Sequence, residues 1–410
     1  MLARVRSNLA FRDLLLGAMA GEPRSAALLE SAFAVRYGFR YAALFPYARS
    51  ALRTLLEALG WRGQEVLCPA YICAEVPYSV TLSGNRVAFV DSTADHFLPG
   101  AREWRAAATG QSVMAIFTPL FGYPVDRQGE SAVRDAAPNA FILYDEAQSY
   151  GVSDRGGLQA RDADGVLFSL GLGKMVTALS GGMLLLRDPV LHRRVCELRN
   201  SRGVPSSLGH KMRLAATGAM TWLGFREPAL SIIDFLGRYL HLVPTQPEEW
   251  LPADPPYAPL DSKVLPSDFQ ARVGCSQFAR LDAFLQARRD VGRYYDERLL
   301  EQGFRTFETT AVPTWPRYPL AVADRATVIT GFRKEGIQTS MFLPYSSADL
   351  PAYRRIARAC PNATLWGQSM INLPNWYGIK PTAVKRVVDA LVRLRERCPE
   401  SVAWPEFANR

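Results

Sequence analysis

A large α/β domain on a mostly parallel sheet, followed by a smaller C-terminal α+β domain, is the fold this sequence predicts. Three observations carry that expectation. Short apolar runs alternate with amphipathic stretches from about residue 41 to 190. Nearly all of those runs are apolar throughout, as strands covered on both faces are. Beyond a proline-rich break near residue 250, the pattern changes to long helical stretches with two isolated strands. A length of 410 residues suits two domains. The division is placed at 265/266, with residues 1–265 as the large domain carrying an apolar insertion at about 202–260. Residues 266–410 then form a connecting helix and the small domain.

The strand candidates in order are Glu65–Cys68, Arg86–Val90, Met114–Thr118, Phe141–Tyr144, Val166–Ser169 and Met183–Leu186. Between the early ones, Ser50 to Leu59 puts Ala51, Leu52, Leu55, Leu56 and Leu59 on one helical stripe, with Gly60 as the stop. Leu214 to Val243 is apolar and helix-like, broken at Gly224–Pro228, and leads into TQPEEWLPADPPYAPL, which has too many prolines for regular structure. Ser267 to Leu300 then carries a long helical pattern, with Phe278, Leu281 and Leu285 on one face. The C-terminal part supplies a strand at Tyr318–Val322, a helix from near Asp324, a strand at Ile371–Leu373 and a last helix from Thr382 to about Arg397.

Composition excludes several classes. With 48% hydrophobic residues the chain is not a disordered one. Arg12 and Asp13 interrupt the first apolar stretch, so the N-terminus reads as an amphipathic helix rather than a signal peptide. No segment approaches the ~18 uninterrupted apolar residues of a membrane span. Six scattered cysteines without a C-x-x-C pair read as reduced thiols. The four histidines show no metal spacing, so no metal site is expected. A soluble, cytoplasmic protein follows. The net charge of +9 comes without a basic tail or aromatic–basic interleaving, which speaks against nucleic acid and for phosphorylated small molecules.

The chemistry-bearing residues begin with FILYDEAQSYG, where Asp145 follows a buried strand at the place open α/β sheets gather functional groups. The run DGVLFSLGLGKMVTALSGG puts Lys174 after another strand end among glycines. An acid and a lysine at successive strand ends suit a pyridine cofactor: the lysine bonds its aldehyde carbon, and the acid keeps its ring nitrogen protonated. Singly, such an Asp is more often a helix cap and such a Lys a solvated surface group. Together with Gln148 and Ser169 they favour a site.

These motifs make the chain similar to the DegT/StrS family of fold type I aminotransferases, which act on nucleotide-linked sugars. The D-x-x-Q of YDEAQSYG followed by the F-S-x-x-x-x-K of FSLGLGK is the most specific part, and the likeness extends from LLESAFAVRYG to INLPNWYGIKP. The resemblance implies pyridoxal 5'-phosphate as cofactor and a homodimer with active sites at the subunit interface. It makes Lys174 the Schiff-base lysine, Asp145 the acid at the pyridine nitrogen, Gln148 a contact on the ring-oxygen side and Ser169 a ligand of the cofactor phosphate. Ala48, Arg49 and Ser50 fall on the family's phosphate-cradling Ser-Gly-Thr turn, at a helix start that favours an anion. Arg49, in the glycine's place, adds a charge that can reach the phosphate.

Departures from the family pattern matter too. Cys73 stands where an aromatic residue stacks on the pyridine ring, with Tyr71 two positions earlier as a substitute. The Asn-x-Arg preceding the connecting helix is missing, its nearest counterparts being Ser262 and Lys263. FLPYSS stands for the family's His-Tyr stretch, with Tyr345 as approximate counterpart. The apolar insertion reads as extra core or dimer interface, or, in a sharper reading, as a peripheral membrane contact through 213–243.

The expected function is transfer of an amino group from an amino acid, glutamate or glutamine, to a keto-sugar nucleotide or related keto substrate, in a polysaccharide-building context. Two alternatives stay open: a PLP-dependent lyase, racemase or condensing enzyme, and a non-catalytic regulatory protein on the same fold. A sugar dehydratase fits less well, because those relatives replace the lysine.

Overall fold

The computed structural model describes residues 1–19, 24–154, 157–224, 263–309 and 311–406. Its centre is a seven-stranded sheet. The strands of the chain are β1 (Tyr41–Phe45), β2 (Glu65–Pro69), β3 (Arg86–Val90), β4 (Ser112–Phe117), β5 (Phe141–Asp145), β6 (Ser153–Asp154), β7 (Gly157–Leu158), β8 (Gly165–Ser169), β9 (Gly182–Leu186), β10 (Tyr318–Ala321) and β11 (Met370–Leu373). In the large sheet the order is β1-β9-β8-β5-β4-β2-β3, while β6–β7 and β10–β11 form two-stranded pairs. Parallel pairing joins β3, β2, β4, β5 and β8, whereas β9 runs antiparallel to both β8 and β1. Every residue of β9 is buried, as a strand covered on both faces requires. β1 joins the six expected strands of this sheet; its run YAALF is short and pairs in full register with β9.

Helices follow the apolar stripes. In Ala48–Ala58 the residues Ala51, Leu52, Leu55, Leu56 and Ala58 are buried, and Gly60 takes the left-handed conformation at φ 74° that ends the turn. The long pattern after residue 266 is two helices, Asp268–Phe278 and Leu281–Glu301, separated at Ala279–Arg280. Ser267 and Gln270 start the first with a reciprocal capping box. Asp324 caps Arg325–Lys334 by accepting the Ala326 and Thr327 amides, and the final helix spans Pro381–Arg397.

The first helix, Phe11–Ala18, owes its position to the acid that breaks its apolar run. Asp13 is fully buried and accepts bonds from Arg280 (2.6 Å), Ser276 (2.6 Å) and Gln277 (2.6 Å). That network ties the N-terminus to both helices of the 268–301 region. One continuous buried cluster runs from Leu2 to Val402, so the two sheets share a core. A second, smaller cluster joins Leu9, Leu14, Leu179, Phe269 and Val273.

Part of the apolar insertion is described. Helix Leu208–Gly224 lays Leu214, Ala215 and Ala219 on the second cluster, and Trp222 meets Phe11 at 5.4 Å between ring centroids. One face of the helix packs there, while Leu208, Met212, Met220 and Leu223 are exposed. The remainder of the 202–260 insertion, and most of the 213–243 surface, lies outside the described residues. Among the described residues no helix is long and apolar enough to cross a membrane.

Candidate active site

Asp145 is the last residue of β5 and Ser169 the last of β8, adjacent parallel strands in which Asp145 pairs with Leu167. Parallel strands deliver their C-terminal ends to one edge, where side chains leave the sheet. The connection from β8 to the antiparallel β9 crosses that edge and carries Lys174. Its neck is closed by Leu170 N–H to Gly181 O (2.8 Å), and its interior by Ala178 N–H to Leu170 O (2.9 Å) and Lys174 N–H to Gly171 O (3.0 Å). Leu179 sits in the loop at φ 69°, a strained value for a branched side chain, and is held there by its place in the second cluster.

Further residues fix the loop from outside. Asn8 donates to the Met175 carbonyl at 2.7 Å, and Gln270 donates to Ser180 Oγ at 3.0 Å. The buried Tyr150 hydroxyl bridges the carbonyls of Ser169 and Val176. Lys174 is thus presented by a loop braced from the N-terminus, from the helix Asp268–Phe278 and from the segment after β5.

A cavity of about 200 Å³ opens at this edge. Asp145, Gln148, Ser169 and Lys174 line it, with Ala48, Arg49 and Cys73. Seven residues expected for the site therefore share one wall-to-wall space. Asp145 Oδ1 accepts the Ala147 N–H at 3.0 Å, yet burial raises its pKa, which the Ala147 amide and the Lys174 charge only partly oppose. Burial likewise lowers the pKa of Lys174, against the raising influence of Cys73 and Asp145 and with Arg317 adding to the fall.

Three expected residues keep their side chains out of this cavity. Tyr71 is buried away from the cavity: its hydroxyl donates to the Leu343 carbonyl at 3.1 Å and its ring meets Phe121. Cys73 lines the cavity, whereas Tyr71 is held out of it by these two contacts. Ser50 lines a separate cleft with Arg53, Glu57, Arg202 and Lys263, so its side chain is not in the Lys174 cavity. Tyr345 also points away, its hydroxyl accepting the Ala74 N–H at 3.2 Å. From the same FLPYSS stretch it is Phe342 that reaches the cavity, with Lys174 Nζ 5.9 Å from its ring centroid. Thr118, directly after β4, lines it too. Position after a strand end was the available signal for Thr118; nothing local in the sequence singled out Phe342.

The cavity fits a phosphorylated pyridine. The helix Ala48–Ala58 begins at it without a side-chain cap, so its first turn presents amides and a positive dipole end. Gly182 lets β9 pass against that turn: a Cβ there would stand 2.4 Å from the Ala48 nitrogen. Among the described residues the buried Thr118 hydroxyl has no partner, as a group that meets a polar ligand would. Arg49 stands at the same turn, paired to Glu75 at 3.2 Å and lying 4.4 Å from the Tyr47 ring centroid.

Comparisons with known proteins point to one family. The sequence model described as the DegT/DnrJ/EryC1/StrS aminotransferase family matches residues 10–223 and 262–392. GDP-perosamine synthase of Caulobacter vibrioides is 25% identical over 383 residues, 88% of each chain. dTDP-4-amino-4,6-dideoxy-D-glucose transaminase of Shigella dysenteriae is 27% identical over 165 residues, 40% of this chain and 44% of that protein. The chain thus spans under half the length of that relative. Among solved structures, a sugar aminotransferase from Micromonospora echinospora superposes with a TM-score of 0.75 at 17% identity, covering 96% of this chain and 100% of that one. An E. coli GDP-4-keto-6-deoxy-D-mannose-3-dehydratase with bound hydrated PLP gives 0.74 at 14% identity, covering 95% and 99%. These structural likenesses establish the fold, which transaminases and a dehydratase share.

Proposed function

The chain belongs to the DegT/DnrJ/EryC1/StrS aminotransferase family, and from that premise we propose that it transfers an amino group from glutamate or glutamine to a keto-sugar nucleotide, using pyridoxal phosphate. The observation that carries the proposal is that buried Asp145 and half-buried Lys174 line one cavity together with the uncapped start of the helix Ala48–Ala58. Retention of the lysine favours amino transfer over the dehydratase chemistry found on the same fold. The named substrates of the relatives, dTDP- and GDP-linked amino sugars, support a nucleotide-linked acceptor.

When bound, pyridoxal phosphate supplies the electron sink and the carbon that carries the amino group between substrates. The chain's own residues do the rest. The carboxylate of Asp145 would hold a proton at the ring nitrogen, a charge pair that relieves the burial now raising its pKa. The amine of Lys174, kept below its usual basicity by burial, takes and returns the substrate α-proton. The first-turn amides of Ala48–Ala58, with Ser169 and Arg49, would bind the phosphate. Gln148 and Thr118 offer polar atoms to the ring's substituents. Cys73, too small to stack, leaves room over the ring that an aromatic would fill.

A homodimer is part of the proposal, as is action in the cytoplasm on precursors of a polysaccharide. The test is the visible spectrum of purified wild-type protein and Lys174→Ala with added cofactor, before and after L-glutamate. A Lys174-dependent visible band that glutamate bleaches, with release of 2-oxoglutarate, is expected. Subsequent incubation with keto-sugar nucleotides should restore the band and yield an amino sugar. A band indifferent to every amino donor would overturn amino transfer and leave another PLP reaction.

A further inference from the structure

Arg317 stands immediately before β10 and lies over the Phe342 ring, its Cζ 4.4 Å from the centroid. Phe342 is the ring against which Lys174 Nζ rests at 5.9 Å, so one aromatic residue touches both cations. Arg317 also approaches the lysine's own loop, with Nη2 4.0 Å from the position a Cβ on Gly173 would occupy. Its charged surroundings are of its own sign. Among the described residues, Arg4, Arg288 and Lys174 are the ionisable groups it interacts with, and each interaction is repulsive. Arg288, the other arginine at this place, is committed: it donates to the carbonyls of Pro316 and Asn375 at 2.6 Å each. Arg317 makes no ion pair or hydrogen bond among the described residues, and burial lowers its pKa to about 10.

A guanidinium does not shed its proton in a protein, so a half-buried one beside Lys174, with no acid against it among the described residues, is a place to which an anion is drawn. The candidate anions at this site are a carboxylate of the amino donor and the diphosphate of the nucleotide sugar. The spacing selects the first. In an amino acid the carboxylate is joined to the carbon bearing the reacting nitrogen, or lies a few bonds further in a dicarboxylate, which matches a cation sharing one ring with Lys174. In a keto-sugar nucleotide the sugar ring separates the diphosphate from the reacting carbon. A planar guanidinium also matches a carboxylate through two parallel bonds.

We propose that Arg317 binds a carboxylate of the amino donor, entering along the edge of Phe342 beside Lys174. This rests on the aminotransferase reading above. Arg317 does not line the cavity itself, so the site forms where Phe342 borders it.

The experiment measures cofactor-loaded wild type, Arg317→Lys and Arg317→Gln. Three quantities are compared: the dissociation constant of glutarate, a dicarboxylate with no amine, by calorimetry; the L-glutamate concentration that half-saturates bleaching of the visible band; and the dissociation constants of UDP and GDP. Cofactor affinity and thermal unfolding report on folding. Loss of a bidentate charged contact should weaken glutarate and L-glutamate binding by about 10- to 100-fold in Arg317→Gln. Arg317→Lys should recover part of it, and nucleoside diphosphate binding should stay unchanged. Weakened UDP or GDP binding with intact glutarate binding would assign the anion to the nucleotide and overturn the proposal. Unchanged binding of all three would overturn it as well, marking Arg317 as structural. If wild type bleaches with no donor, the aminotransferase reading falls and takes this proposal with it; bleaching equal in wild type and Arg317→Gln removes this proposal alone.

Discussion

Gly182→Ala is the substitution whose consequences the structure defines most sharply. The added Cβ would stand 2.4 Å from the Ala48 nitrogen, 2.6 Å from the Ala48 Cα and 2.6 Å from the Tyr47 carbonyl carbon. Comfortable contacts begin near ~3.5 Å, so the two segments must separate by about 1 Å. Both sides are backbone, and no side chain can rotate to absorb the strain. Overpacking of this kind costs about 1–3 kcal/mol of stability. The atoms that move are the first turn of Ala48–Ala58, the proposed phosphate cradle. Losing one amide bond to a charged phosphate costs a further ~1.5–3 kcal/mol of binding, or about 10- to 100-fold in cofactor affinity. Gly129→Ala is the matched control, since its Cβ would meet Trp104 Cδ1 at 2.5 Å, outside the cavity. The assay pairs thermal unfolding of both apoproteins with titration of pyridoxal phosphate by fluorescence quenching. Both variants should unfold earlier, and only Gly182→Ala should bind the cofactor more weakly. A Gly182→Ala protein that unfolds earlier yet holds the cofactor as tightly as wild type would refute the assignment of this turn to the phosphate.

Asp13→Ala should cost about 3–5 kcal/mol, because it leaves Arg280 without its buried partner; urea unfolding checks this, and a loss below ~1 kcal/mol would mean the network is replaceable by water. Glu146, beside Asp145, is pushed up from 4.5 to about 7 by burial, although the Ser149 hydroxyl and the Gly151 amide oppose the rise. A raised folded pKa makes its contribution fully present below the unfolded value and lost as pH climbs through about 7. Stability should therefore fall by up to about 3 kcal/mol between pH ~4.5 and ~7 on account of this group. Glu146→Gln should remove that part of the pH dependence in unfolding titrations, and an unchanged slope would count against the buried ionisation.

The legible part of the fold was the part written in local periodicity. Runs such as FILYD and GMLLL are apolar at every position, and only strands buried on both faces need that, so the parallel sheet could be read directly. The helix stripe at 51–59 was readable for the same reason: its residues lie within three turns of one another. Asp145 and Lys174 were legible because strand ends are places where a sheet exposes functional groups. The break at Ala279–Arg280 was not visible, since the residues on either side are good helix formers and the interruption is made by packing. Tyr71 misled for a related reason: an aromatic two positions from the expected one looks like a substitute until long-range contacts, to the Leu343 carbonyl and the Phe121 ring, hold it out of the cavity.

By itself the sequence determined which residues could do chemistry here, through their types, their strand-end positions and their resemblance to one family. It also determined most of the elements that carry them, because hydrophobic period is a short-range property. Only the tertiary structure decided which of those residues meet. Phe342 and Arg317 reach the lysine from more than 140 positions away in the chain, Asn8 and Gln270 brace its loop from opposite ends of the sequence, and Ser50 is turned out of the cavity its neighbours line. Such contacts depend on how the sheet's edge, the first helix and the 268–301 helices pack, and that packing is encoded in the whole buried cluster rather than in any stretch that can be read alone.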